Sequence, residues 1–167
     1  MKHLKTLLLA TTLFFGATSL SNAQGKVAHI NLQEVIVAMP EYDAAKAEVE
    51  KAGKTYQAEV DESIKELQTK AKRYQDESAA QTNEENAKRS QEIEGMQQSI
   101  GKYQQQAQQK LQKLEFDLIK PIREKAQAAV EKVSKAQGYE YVLDLSTLVV
   151  ANGKDITTDV KKELGLQ

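Results

Sequence analysis

Between Tyr42 and Ile122 two sets of apolar residues mirror each other, and this symmetry restricts the fold more than any other feature of the chain. Val49, Ala52, Tyr56, Val60, Ile64, Leu67, Ala71 and Tyr74 climb in steps of three and four. Ile93, Met96, Ile100, Tyr103, Ala107, Leu111 and Leu114 descend in the same steps. That spacing keeps each set on one face of an α-helix. If Ala71 is set against Ile93, Leu67 against Met96, Ile64 against Ile100, Val60 against Tyr103, Tyr56 against Ala107, Ala52 against Leu111 and Val49 against Leu114, every pair has its midpoint at residue 82 or halfway between 81 and 82. Ala45 with Leu118 and Tyr42 with Ile122 extend the register. Two unrelated helices have no reason to share a midpoint, so the spacing predicts one antiparallel helical hairpin over residues 42–118 with its tip near 81–82. Each arm of about 40 residues is then about 60 Å long at 1.5 Å per residue.

The tip has its own chemistry. Thr82-Asn83-Glu84-Glu85 fits a capping box, a hydroxyl followed three residues later by Glu. The second arm is heavy in glutamine from Gln97 to Gln112, a low-complexity composition. The unbroken apolar spacing through Ile100, Tyr103, Ala107 and Leu111 decides for helix. Gly53, Gly95 and Gly101 each weaken a helix interior by about 1 kcal/mol relative to Ala. They read either as plain surface glycines or as positions that let the arms bend. Pro121 lies inside an otherwise continuous helical pattern from Leu114 to Val133, where the missing N–H kinks a helix. Pro121 is therefore the candidate hinge at the base of the arm.

The flanks of the hairpin change period. Lys26–Asn31 alternates as a strand, and Leu32, Val35, Ile36 and Met39 have helical spacing ahead of Pro40. After Gly138 the run Tyr139–Leu145 reads as a strand. Leu148–Ala151 reads as another, with Asn152-Gly153 as a hairpin turn and Lys154–Ile156 as its return strand. Thr157 or Thr158 is expected to cap a last helix that ends before Gly165. The fold class is α+β. Residues 24–41 and 119–167 form a small β body, and the long antiparallel helical hairpin emerges from it. About 65 residues with a few short strands are marginal alone, so oligomerisation is expected to complete the body's core.

Residues 1–23 read as a cleavable signal peptide. Lys2 and Lys5 supply a positive start, Leu7–Leu20 an apolar run, and Ser21-Asn22-Ala23 a small-residue cleavage site before Gln24. An apolar run of about 14 residues is short of the roughly 20 that span a membrane. Removing Lys2 and Lys5 takes the basic count from 23 to 21 against 24 acids, a net charge of −3. An acidic chain lacks the basic footprint of a nonspecific nucleic-acid binder. With no cysteine there is neither disulfide nor thiolate chemistry. His29 is the one histidine left after cleavage and reads as structural, and no glycine-rich phosphate loop is present. Interleaved Glu and Lys on the arms read as a solvated face. The expectation is a binding protein with no cofactor and no catalytic residues.

The order of these features resembles the OmpH/Skp family of periplasmic chaperones. The residues that carry the resemblance are Ala38-Met39-Pro40-Glu41-Tyr42, Lys120-Pro121-Ile122, Gly138-Tyr139-Glu140-Tyr141-Val142-Leu143-Asp144, and Asp155-Ile156-Thr157 with Asp159-Val160. The resemblance spans essentially the whole mature chain, although the arms match in pattern only. It implies a homotrimer whose strands build a barrel-like body while three arms enclose a cavity. It also implies ATP-independent holding of unfolded outer-membrane proteins. Well-studied members are strongly basic and a lipopolysaccharide contact has been proposed for them. This acidic chain gives no ground for carrying that contact over.

Tyr56, Ile64, Leu67, Tyr74, Met96 and Ile100 are the candidate client contacts, with the helix–helix seam as the alternative role for the same side chains. Two other functions compete: an exported coiled-coil spacer or adaptor for one folded partner, and a prefoldin-like chaperone, against which the signal peptide argues.

Overall fold

A computed structural model describes residues 26–166. The predicted signal peptide and its cleavage after Ala23 lie outside the described residues. The chain is α+β, with a long helix pair and a small sheet. The described residues divide into two compact units, one of residues 39–124 and one joining residues 26–38 with residues 125–166.

The first unit is the hairpin. Helix α2 (Pro40–Glu77) begins with Pro40 in its first turn, where the missing N–H costs nothing. It ends in a 3-10 turn at Ser78–Ala80, and helix α3 (Asn83–Gln137) returns. Thr82 caps α3 by accepting the Glu85 N–H at 3.1 Å. This is half of the expected capping box, because the Glu85 carboxylate turns to Arg89 at 3.3 Å instead. Asn86 Nδ2 reaches across the turn to the Ser78 carbonyl at 3.0 Å. The helix α3 continues through Pro121. A proline has no N–H to donate, so the Asp117 carbonyl loses its helical partner.

The second unit is built on strand β1 (Val27–Ile30), with β2 (Tyr141–Asp144) on one edge and β3 (Lys154–Asp155) on the other. Both pairings are parallel, with Ala28 opposite Val142 and His29 opposite Asp155. Helix α1 (Leu32–Val37) follows β1 and is capped by Asn31, whose Oδ1 accepts the Glu34 N–H at 3.1 Å. Helix α4 (Thr157–Glu163) follows β3. The core gathers Ala28, Ile30, Val35, Ile36, Ile156 and Val160 with Ala126, Ala129 and Val133 of α3. Lys161 Nζ ties α4 to Glu34 of α1 at 2.6 Å. Gly138 and Gly165 both take positive φ and close Schellman motifs, with Tyr139 N–H on the Ser134 carbonyl and Leu166 N–H on the Lys161 carbonyl.

Two expectations are corrected here. Leu148–Ala151 is not a strand, and Asn152-Gly153 does not turn a hairpin. The short segment after it adds in parallel to β1, about 125 residues earlier in the chain, leaving Val149 and Val150 exposed. Local turn propensity lost to pairing with the central strand. Nor does either threonine hydroxyl cap α4. Asp155 does so, accepting both the Thr157 N–H at 2.8 Å and the Thr157 hydroxyl at 2.6 Å. The Thr157 hydroxyl oxygen is thereby aimed to accept the Asn31 N–H at 2.9 Å, which joins the starts of both short helices.

Candidate functional site

The residues proposed from sequence to touch clients all belong to the hairpin, and the structure places them along its seam. In the hairpin the buried apolar side chains are Ala45, Val60, Ala107 and Ile122, together with Met39 at its start. Tyr56, Ile64, Leu67, Tyr74, Met96 and Ile100 are each half-buried. Two helices bury only one face of each other, so the larger seam side chains keep part of their surface in water. The arm is a leaky zipper, with apolar edges reachable from outside along its length.

Three of the six candidates border shallow grooves. Tyr56 lines one of about 640 Å³ with Ala47, Ala52, Thr55 and Leu114. Met96 lines one of about 500 Å³ that is otherwise polar, with Glu62, Lys65, Glu66 and Arg73 among its walls. Tyr74 and Ile93 border one of about 530 Å³ near the tip. None is an enclosed pocket of the kind that holds a small ligand. Among the described residues no cluster of three or more His, Asp and Glu side chains is placed to hold a metal.

Polar contacts reinforce the seam, most heavily toward the tip. Arg89 donates to Glu77 at 2.9 Å and to Glu85 at 3.3 Å while its guanidinium lies 4.6 Å over the Tyr74 ring. Tyr74 donates its hydroxyl to Glu92 at 2.5 Å, and Lys70 donates to the other oxygen of Glu92 at 2.5 Å. The Lys70 hydrogen bond, then that of Tyr74, holds the Glu92 carboxyl below the ordinary carboxylate range. Farther down, Tyr56 and Tyr103 meet edge to face with ring centres 6.3 Å apart. Tyr103 donates its hydroxyl to Glu59. That hydrogen bond, assisted by desolvation, pushes the Tyr103 phenol up to about 12.

Sequence reasoning passed over this clasp. Its signal was present, because Lys70 with Glu92 and Glu77 with Arg89 centre on residues 81 and 83, within about one residue of the apolar pairs' midpoint. Gly53 and Leu111, close enough that a Cβ on Gly53 would reach Leu111 Cδ1, fall on that register too.

The candidate hinges are spread along the helices. Pro121 is exposed on α3, as are Gly95 and Gly101, and Gly53 is half-buried on α2. A Cβ at Gly95 or Gly101 would meet nothing within 4 Å, and one at Gly53 would touch Leu111 Cδ1 at an ordinary 3.9 Å. Packing therefore does not require glycine at any of the three. His29 is buried in the central strand, its Nε2 3.9 Å from Asp155. The Asp155 carboxyl is held low chiefly by the Thr157 hydroxyl, so the pair belongs to the start of α4.

Comparison with known proteins adds the family. The model of the family described as "Outer membrane protein (OmpH-like)" matches residues 26–164. A "Chaperone protein Skp" from Photorhabdus luminescens is 24% identical over 145 residues, covering 86% of this chain and 88% of the relative. A protein of the same name from Pectobacterium atrosepticum is 24% identical over 153 residues, covering 91% and 93%. A crystal structure described as an outer membrane chaperone (OmpH-like) from Caulobacter crescentus CB15 superposes with a TM-score of 0.74. It is 16% identical and covers 86% of each chain, a likeness of fold.

Proposed function

Since this chain belongs to the OmpH-like outer membrane protein family, a family of periplasmic chaperones, we propose that it is an ATP-independent holdase. In this reading it binds unfolded outer-membrane β-barrel proteins between its helical arms and keeps them from aggregating in transit. The observation that carries the reading is the arm itself. Tyr56, Ile64, Leu67, Tyr74, Met96 and Ile100 run along it half-buried, without a closed pocket. Many shallow, interchangeable contacts suit diverse unfolded chains better than one specific ligand. Pro121 and the three glycines supply bending for entry and release. Export through residues 1–23 places the mature protein in the periplasm.

A homotrimer completes this reading. Val27, Tyr141 and Leu143 leave apolar surface exposed on a small three-stranded sheet whose outer strands are β2 and β3, and Val149 and Val150 are exposed on the irregular segment between those strands. Such outer strands invite pairing with further strands. Among the described residues no helix is long and apolar enough to cross a membrane. Light scattering at micromolar concentration is expected to report a trimer, and a monomer would refute it.

The functional test dilutes a urea-unfolded outer-membrane β-barrel protein into buffer without nucleotide and follows turbidity. Equimolar trimer is expected to suppress aggregation. Failure to do so points to the spacer or adaptor for one folded partner.

A further inference from the structure

The glutamine tract of α3 is not consumed by the seam. Between Glu94 and Glu115 this helix carries no carboxylate, and its three cations there are Lys102, Lys110 and Lys113. Gln98, Gly101, Gln105, Gln108, Gln112 and Phe116 follow one another in steps of three and four, so they share one flank. At about 100° per residue, that strip lies on the back of the helix, about 145° round from the seam residues, with Lys102 bordering it beside Gln98 and Gln105 and with Lys110 and Lys113 farther round. Each of the six is exposed, and Phe116, at the end of the strip, is 65% exposed. Gln98 makes a long contact of 3.4 Å to Glu94, while Gln105, Gln108 and Gln112 have no side-chain partner among the described residues.

A solvated helix face is ordinarily charged, as the facing stretch of α2 is, with Glu50, Lys54, Asp61, Glu62, Lys65 and Glu66. An uncharged amide strip has a different complement. Each glutamine offers a carbonyl acceptor and two N–H donors. An unfolded chain presents the matching groups, a row of unpaired backbone N–H and C=O. A strip without charge neither attracts nor repels an acidic or basic client. It also offers nothing to an anionic lipid surface, and no apolar seam to a second helix.

We infer that this flank of α3 is a binding strip for extended, unfolded polypeptide, in which the glutamine amides pair with client backbone and Phe116 receives an apolar side chain. The inference rests on the holdase reading and specifies the chemistry by which an arm grips. From Gln98 to Phe116 the strip is about 27 Å long at 1.5 Å per residue, which accommodates about eight residues of extended chain. Recognition of backbone rather than sequence explains breadth of clients, and amide pairing is insensitive to salt.

The test measures binding of a fluorescently labelled, urea-unfolded outer-membrane β-barrel protein by anisotropy, using the full mature chain. The strip variant is Gln98→Ala, Gln105→Ala, Gln108→Ala and Gln112→Ala together, and alanine preserves helix. The control on the other flank is Gln106→Ala, Lys110→Ala and Lys113→Ala. Unchanged far-UV circular dichroism confirms that both fold. The strip variant is expected to weaken binding by about tenfold or more, given the modest net value of each hydrogen bond. The control should stay within about twofold, and so should the wild type as salt rises from 50 to 500 mM. Adding Phe116→Ala weakens the strip variant further. If the wild type binds and the strip variant binds equally or more tightly, the strip is refuted while the holdase reading stands. An equal loss in the control variant, or a steep salt dependence, also overturns it. A wild type that binds nothing overturns both.

Discussion

Replacing Gly53, Gly95 and Gly101 together by alanine should make the protein more stable, and by an amount the structure sets. All three lie in regular helix without positive φ, so alanine needs no backbone adjustment. At Gly95 and Gly101 the new methyl enters open space, and at Gly53 it makes one ordinary contact with Leu111. The gain is then the propensity difference, about 1 kcal/mol at each site. The three share no partner, so the gains should add to about 3 kcal/mol. For a chain of this size that is a rise in melting temperature of about 6–12 °C. Thermal unfolding followed at 222 nm measures it. An unchanged or lower midpoint would refute the placement of these residues in regular helix with room for a methyl group. The same variant separates the two readings of the glycines. If they provide bending, suppression of client aggregation falls while the melting temperature rises; if suppression is unaffected, Pro121 alone is left as the hinge.

Other changes have equally definite outcomes. Pro121→Ala restores an N–H for the Asp117 carbonyl within a continuous helix, and should raise the melting temperature, interior proline costing about 3 kcal/mol. Thr82→Ala removes the oxygen that accepts the Glu85 N–H, with a loss of about 1 kcal/mol by urea titration. Ile156→Ala empties a fully buried position of the body, and should cost about 2–5 kcal/mol. Tyr103 should ionise near 12 by its absorbance at 295 nm, against an ordinary phenol at 10.0, and Glu59→Gln should bring it back down. Because the folded value is the higher one, this contribution to stability is complete below pH 10 and lost as pH climbs through 12.

The parts of the fold that were legible in the sequence obey a local period or a single symmetry. The hairpin was readable because apolar steps of three and four on both arms share one midpoint, and Thr82 marks the turn with its own cap. Gly138 was readable as a helix end because only a residue free to take positive φ closes that motif so easily. The parallel sheet was not. β3 is two residues long, and its partner β1 lies about 125 residues away, so no local pattern announces it. Leu148–Ala151 has strand composition, and composition alone does not supply a neighbour to pair with. The Asp155 cap was hidden behind two threonines of better apparent position. At the candidate site, sequence located the six apolar side chains. It did not separate seam from surface, because a two-helix arm makes each of them both.

Site-specific photo-crosslinking tests the central claim, that the arms are the gripping surface. A photoreactive amino acid is placed at Gln105 or Gln108 on the arm, and at Val149 or Val150 on the exposed segment of the body. The protein is then loaded with unfolded outer-membrane β-barrel protein and irradiated. The account predicts client adducts from the arm positions and few from the body. Adducts confined to the body, with the arms silent, would contradict it.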